Sequence, residues 1–467
     1  MKGWHYMRND SQLLSRATLQ VDVLSSAVNA RSGSMPCIFN ENVTFTTQAL
    51  ESFASRNWNA TVYDALVVAA AVEFCDRSRA RKAYQWGRDF DLRVEVHNPD
   101  LWSSRNVYPF LVDTLNFLTG DNWKVEFVGR SRPADAPRQV LLEFPLNAEA
   151  VIAYSDGMDS RAVAGLERQK RGPKLVLVRL GGSAYGMSRA ERAKRPFRSV
   201  PYKVKIEGDN EENSARSRGF KFAMVAAIAA YLVDAPIIII PESGQGALGP
   251  ALLPVGQAYP DYRNHPAFTK HMQRLIEGLL GHKLRYEFPR LWNTKAQTLK
   301  AFAAQVKDSE EWISTRSCWQ QSRQVSIGEH RRQCGICAAC MLRRLSVHAA
   351  DLVEPSSNYI WESLSASDFA DGANAGFEAS RITPALREYA IAGVLHLDHL
   401  AELRRSEEYG LVKGRFLNQL AHALDQSPAE IMNKMDGMLS QHELEWSAFV
   451  SSIGKQSFIN AWLSSRS

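Results

Sequence analysis

From residue 150 onward, short apolar runs alternate with helical ones, and this constrains the fold more than any other feature of the chain. AVIAYSDGMDSRAVAGL is an apolar run, a polar glycine-containing turn and then a helix. KLVLVRL (174–180) reads as a second buried strand, PYKVKI (201–206) as a third and APIIIIP (235–241) as a fourth. A helix, SRGFKFAMVAAIAAYLV, lies between the last two. Strands that alternate with helices imply a doubly wound parallel α/β sheet covered on both faces. Ligands in such sheets bind beyond the carboxyl ends of the strands.

Residues 1–147 read as an α/β extension of this core. ATVYDALVVAAAVEFCDRSRAR (60–81) is helical in character, with Leu66, Ala69, Ala70 and Val72 gathered together. FDLRVEV (90–96), WKVEFVG (123–129) and QVLLEF (139–144) alternate as strands do, and SRPADAP (131–137) is a turn or loop. The core spans 148–353, and 354–467 reads as a helical C-terminal region. Thr383-Pro384 opens one helix there, and Ser427-Pro428-Ala429-Glu430 is a capping box opening another. The stripes Leu417, Leu420, Ala421, Leu424 and Ile431, Met435, Met438, Leu439 read as core.

The bulk numbers exclude rather than identify. A chain of 467 residues suggests two to four domains at ~100–200 residues each. A net charge of +6 over that length does not indicate nucleic-acid binding, and phosphorylated ligands explain it equally well. The first sixteen residues contain no apolar signal segment. The longest apolar run, residues 223–233, is too short to cross a bilayer, which takes ~20 residues. The expectation is a cytoplasmic protein with no membrane partner.

Six cysteines divide unevenly: Cys37 and Cys75 stand alone, whereas Cys318, Cys334, Cys337 and Cys340 cluster. Cys-x-x-Cys steps let thiolates converge on one ion, so the cluster reads as a closed Zn²⁺ site that holds the fold rather than activating water. His330 and His348 read as surface or capping residues, because four cysteines suffice.

Ser155-Asp156-Gly157-Met158-Asp159-Ser160 lies between a strand and a helix. Such a turn offers backbone N–H groups and a helix N-terminus to an anion, which suits a nucleotide phosphate. Ser155 and Ser160 add hydroxyls, and Asp159 either holds Mg²⁺ or orients the loop. The Gly-Lys-Ser/Thr ending of a Walker A loop is missing. Asp156 is an unfavourable neighbour for a triphosphate, and Arg161, at the first turn of the helix, is the residue expected to neutralise it.

The turn resembles the PP-loop of ATP pyrophosphatases, Ser-Gly-Gly-x-Asp-Ser, with Asp156 and Arg161 as departures. Further stretches resemble the QueC family within that superfamily, in order along the chain. They are Arg218-Gly219-Phe220 with its alanine-rich helix, Tyr259-Pro260-Asp261-Tyr262-Arg263, Arg285-Tyr286-Glu287 … Pro289 … Trp292 … Lys295-Ala296, and Cys318 … Cys334-Gly-Ile-Cys-Ala-Ala-Cys-Met-Leu-Arg343. QueC proteins convert 7-carboxy-7-deazaguanine to its 7-cyano form with ATP and ammonia. The resemblance implies a PP-loop (HUP-like) fold and an ATP-dependent ligase releasing AMP and pyrophosphate. It implies ATP binding by Ser155, Asp156, Gly157, Met158, Asp159 and Ser160, with Asp159 and Ser160 catalytic. It also implies a deazaguanine substrate bound by Arg218, Asp261 and Arg263. Asp261 would accept the N1 and 2-amino hydrogens of the base, and Arg263 would meet the ligand carboxylate or a phosphate. On spacing alone, Asp261 and Arg263 are equally a surface ion pair in a turn. The basic stretch Arg189, Arg192, Lys194, Arg195 and Arg198 reads as a solvated face or a pyrophosphate grip.

The enlarged chain also resembles QueC-like proteins of bacterial antiviral operons, such as the QatC type of the Qat system. That implies transfer of the activated deazaguanine to an amine of a protein partner encoded in the same operon. The alternatives are 7-cyano-7-deazaguanine synthesis with ammonia, and a catalytically inactive scaffold in a defence complex.

Overall fold

The computed structural model describes residues 18–46, 58–81, 87–132, 147–155, 157–179, 200–207, 212, 215–253, 259–306, 309–320 and 325–464. Numbering only the longer helices, the first half runs β1 (Leu19–Leu24), β2 (Met35–Ile38), β3 (Val43–Phe45), α1 (Ala60–Ser78), β4 (Asp89–Val96), α2 (Tyr108–Thr119), β5 (Asn122–Gly129), β6 (Ala150–Tyr154), α3 (Met158–Arg171), β7 (Leu175–Arg179), β8 (Tyr202–Val204) and α4 (Arg218–Leu232). The second half runs β9 (Ile237–Ile239), α5 (Pro266–Leu280), β10 (Arg285–Glu287), α6 (Lys295–Gln305), α7 (Ala338–Ala349), α8 (Pro384–Glu402), α9 (Tyr409–Leu424) and α10 (Pro428–Ser452).

The expected parallel sheet forms in the order β10-β9-β6-β7, with Ile152 beside Leu177 on one side and Ile239 on the other. Side chains on a strand alternate between faces. Ala150, Ile152 and Tyr154 therefore pack with Val163 and Ala164 of α3, whereas Val151 and Ile238 join the core that holds Phe220, Met224 and Ile228 of α4. Both faces are covered, so the strands read as unbroken apolar runs.

Two strands differ from the sequence reading. PYKVKI does supply β8, but β8 pairs antiparallel with β3, Val204 against Val43 and Tyr202 against Phe45, and stays out of the central sheet. Its exposed Lys203 between buried Tyr202 and half-buried Val204 marks a one-sided strand, unlike the fully buried Ile237–Ile239. The edge place next to β9 goes instead to β10, whose sequence Arg-Tyr-Glu carries no apolar signal. An edge strand faces solvent along one side and tolerates such polarity.

The N-terminal strands make a second parallel sheet, β2-β1-β4-β5, with β4 and β5 where the alternation put them. The run at 139–144 and residues 133–137 of the expected loop lie outside the described residues, as do Arg189, Arg192, Lys194, Arg195 and Arg198. Helices lie between the two sheets: α1 packs on β4 and on α4, and α4 packs on β6 and β9. Nearly every α1 side chain from Val62 to Asp76 is buried, so its apolar character runs all round the helix. The buried Asp76 binds Arg81 at 2.7 Å with one oxygen and accepts the Ser217 N–H at 2.7 Å with the other, which ties α1 to the start of α4.

The capping box at Ser427 and the Thr383 cap form as expected. Ile431, Met435, Met438 and Leu439 are buried in the main core. Helix α10 packs against α7, α8 and α9, and α9 packs on α5, so the C-terminal helices lie directly on the α/β core. Among the described residues, no helix is long and apolar enough to cross a membrane.

Candidate active site and metal centre

The central sheet reverses its direction of growth between β6 and β9, because the chain passes from β6 outward to β7 and later returns on the other side. The crevice at the carboxyl ends of such a pair is where open α/β sheets bind ligands. The turn after β6 lies there. The Gly157 N–H donates to Ser155 Oγ at 3.2 Å, and Ser155 Oγ stands 2.9 Å from Ser160 Oγ. Among the described residues no side chain caps α3, so the N–H groups of its first turn are open to an anion as far as those residues go. The Met158 side chain is buried with Leu166, Phe302 and Trp312, and only its backbone belongs to the turn. Asp156 lies outside the described residues. Arg161 forms an ion pair with Glu311.

Asp159 is buried and satisfied by two groups that spacing did not suggest. Ser243, in the loop after β9, donates to Oδ1 at 2.8 Å, and Lys295, at the first turn of α6, forms an ion pair with Oδ2. The two side chains of that pair are each only 10% exposed. Lys295 is held from behind. Its backbone N–H donates to Gln245 Oε1 at 2.6 Å, and the Gln245 side-chain nitrogen lies 2.9 Å from Nδ1 of His442 on α10. His442 Nε2 meets the Leu397 carbonyl at 2.9 Å, and a carbonyl only accepts, so Nε2 carries the proton and Nδ1 accepts from Gln245. Burial keeps this imidazole neutral by lowering its pKa to about 4. Thr294, the cap of α6, donates to Glu445 of α10 at 2.6 Å. The C-terminal helix thus braces the residue that neutralises Asp159.

Glu242 precedes Ser243. Its Oε2 accepts from the Asn264 amide at 3.0 Å, and its Oε1 lies so close to Gly246 that a side chain at 246 would collide with it. Loss of solvent around the carboxylate, then the charge of Asp159, raises its pKa from 4.5 to about 8.

Asp261 and Arg263 lie beyond Asn264 and bind each other. Arg263 donates from its backbone N–H to Oδ1 at 3.0 Å and from Nε to Oδ1 and Oδ2 at 2.9 and 2.8 Å. Burial alone would raise the Asp261 pKa, but the charge and hydrogen bonds of Arg263 outweigh it and hold the carboxyl below its usual range. The pair keeps about a third of its side-chain surface exposed, at 35% and 38%. Arg218 stands at the start of α4 near both residues and has no hydrogen-bonding or ion-pair partner among the described residues; burial, followed by the charge of Arg263, lowers its pKa. It lines a cavity of about 510 Å³ with Glu73, Tyr202 and Lys221. The structure therefore brings the turn residues, Asp159, Glu242, Asp261, Arg263 and Arg218 into one continuous strip.

The four clustered cysteines converge. Their sulfurs all lie within 4.8 Å of one another, and Cys334 Sγ is 3.7 Å from Cys340 Sγ. Four thiolates at ~2.3 Å from a tetrahedral ion stand about 3.8 Å apart, so the cluster fits one metal ion. Backbone N–H groups of Cys334, Cys337 and Cys340 donate to the sulfurs of Cys318, Cys334 and Cys337 at 3.2, 3.3 and 3.4 Å, as suits thiolates. Four protein ligands would close such a centre and leave no open position for water. Helix α8 presses on it through Gly393, where a Cβ would lie 2.7 Å from the Ala338 nitrogen.

Parallel sheets, a serine- and aspartate-bearing turn at the switch point and a cluster of four cysteines that could hold a metal ion define a mixed α/β protein. Residues 254–350 match the family described as Queuosine biosynthesis protein QueC, and the protein is QueC-like. That stretch carries Asp261, Arg263, Lys295 and all four cysteines, whereas the turn at 155–160 and Arg218 precede it. No curated protein matches the chain.

Proposed function

We propose that the protein is a cytoplasmic, ATP-dependent ligase of QueC type. In this reading it adenylates a 7-carboxy-7-deazaguanine-like acid, releases pyrophosphate and transfers the acyl group to an amine. The observation that carries the proposal is the ion pair between Asp159 of the turn and Lys295 of the QueC-matched stretch, which supports reading the two parts as one site.

Ser155, Gly157 and Ser160, with Asp156 and the Met158 backbone, take the phosphates of MgATP, the Mg²⁺ arriving on the nucleotide. Asp159, with both oxygens engaged by protein groups, acts in its loop-orienting role. Cys318, Cys334, Cys337 and Cys340 would hold Zn²⁺, which would supply structural cross-linking. Asp261 reads the donor edge of the base after exchanging its bonds to Arg263 for bonds to the ligand, and Arg263 and Arg218 meet the ligand carboxylate or a phosphate. The acceptor is the N-terminal amine of an operon partner in antiviral defence, recognised by the N-terminal sheet and C-terminal helices that lie outside the QueC match. An α-amine, with a pKa of ~8, is more often unprotonated near neutrality than a lysine at ~10.4.

Full-length protein with ATP and 7-carboxy-7-deazaguanine should yield AMP and pyrophosphate, and intact-mass spectrometry should show one added acyl group on the partner. Formation of ADP refutes the reading, and untouched ATP leaves the inactive scaffold. The QueC match itself favours a second reading, 7-cyano-7-deazaguanine synthesis from ammonia. Accumulation of the nitrile with an unmodified partner would select it.

A further inference from the structure

One segment joins the cysteine cluster to the phosphate turn. It begins with the helical turn Ser309–Ser314 and ends at Cys318, one of the four clustered cysteines. It touches the phosphate turn and α3 at several points. Trp312 is buried in one apolar cluster with Met158, Ala162 and Leu166. Glu311 pairs with Arg161. The Arg316 carbonyl stands 3.9 Å from where a Cβ on Gly157 would lie. On its other side the segment is held by Arg343 of α7, whose side chain is wholly buried. Nη1 donates to the carbonyl and the hydroxyl of Thr315 at 3.0 and 2.8 Å, and Nη2 donates to the carbonyls of Trp312 and Ile313, both at 3.2 Å. The guanidinium also lies 5.6 Å from the Trp312 ring centre. Glu354 steadies this fork from behind, accepting from Nε at 3.0 Å and from Nη2 at 2.6 Å. Cys337 caps α7 and Cys340 lies one turn before Arg343, so the helix that carries two of the clustered cysteines also carries the fork.

We infer that Arg343 is a positioning residue for the phosphate turn. Its donors are all engaged within the protein, so it acts through the segment and not on the ligand. It fixes residues 312–315, and these set the first turn of α3, whose N–H groups take the phosphates. The inference rests on the ATP-binding reading above. A lysine ammonium in the same place could still meet Glu354. It is a point charge, however, and cannot hold several carbonyls at once as the planar fork does. Loss of the fork therefore loosens the segment while the Glu354 charge stays matched. Displacing a positioning group by ~1 Å can cost about 10² in rate. The turn serves the phosphates in that reading, so the loss falls on the nucleotide and not on the acid.

Exchange of radiolabelled pyrophosphate into ATP, dependent on 7-carboxy-7-deazaguanine and run on the zinc-loaded full-length protein, tests the assignment. Arg343→Lys should raise the KM for MgATP by about 10- to 10²-fold. It should leave the KM for the acid within about twofold of wild type and the zinc content unchanged. Trp312→Phe breaks the same path at its other end and should raise the MgATP KM as well. Both act through one segment, so the double variant should lose little more than the worse single variant. If Arg343→Lys does not fold, Glu354→Gln, which frees the fork from behind, takes its place in the cycle. Losses that multiply would mark two independent structural defects and overturn the inference. An equal rise in the KM for the acid overturns it too. Wild-type protein without exchange refutes the ligase reading and the inference with it, whereas exchange with an unchanged MgATP KM in the variants refutes the inference alone.

Discussion

Replacing Lys295 with Met should destabilise the central sheet, and the ion pair to Asp159 sets the scale. Both side chains are 10% exposed, so the charge left on Asp159 would keep Ser243, 2.8 Å from Oδ1, and the adjoining Glu242 carboxyl, but no cation of its own among the described residues. Removing one member of a buried pair costs about 3–5 kcal/mol, because the other charge stays out of water uncompensated, whereas replacing both is often close to neutral. For a cooperative unit of 150–250 residues, each kcal/mol shifts the midpoint by about 2–4 °C. The transition that includes the central sheet should therefore fall by about 6–20 °C in Lys295→Met. Adding Asp159→Asn should restore most of that loss. Differential scanning calorimetry at low and high salt is the assay, and the shift should persist at high salt because buried pairs are weakly screened. Simple addition of the two single losses, or a loss that vanishes in salt, would refute the argument, since coupling is the signature of contact.

Purified protein should carry about one zinc per chain, with Gly393→Ala releasing it to a chelator several-fold faster, because the new Cβ pushes on the Ala338 backbone beside Cys337; a folded, metal-free preparation would contradict the centre. Glu242 has a folded pKa raised to about 8, so the fold binds its proton more tightly than the unfolded chain. That contribution is complete below pH 4.5 and is lost as pH rises to about 8, and Glu242→Gln should remove this part of the stability–pH slope in calorimetry. Arg161 pairs with Glu311, whose side chain is 62% exposed, so Arg161→Ala should cost at most about 1 kcal/mol of stability. In ATP titrations the effects of Arg161→Ala and Asp156→Gly should add; recovery in the double variant would show instead that Arg161 serves Asp156.

Local signals were enough for the parts of this protein that local physics decides. Three cysteines at Cys-x-x-Cys spacing need only a short knuckle and one more cysteine to converge, so the four-cysteine cluster was legible in the sequence. The buried strands β6, β7 and β9 announced themselves through unbroken apolar runs, and the caps at Thr383 and Ser427 through residue types that satisfy helix N–H groups within four positions. The position of 155–160 between a strand and a helix was legible for the same reason. Partners far apart in sequence had no such signal. Lys295 reaches Asp159 across 136 residues, Ser243 across 84, and His442 reaches Gln245 across 197. The pairing of β8 with β3 and the edge position of β10 depended on which sheet edges remained open once the helices had packed. Spacing left Asp261 open between a surface ion pair and a ligand contact, and its nearness to Arg218, 43 residues earlier at the start of α4, emerged only in the folded chain. Periodicity and capping act within a few residues and can be read from the chain, but the neutralisation of a buried charge requires a partner that only folding supplies.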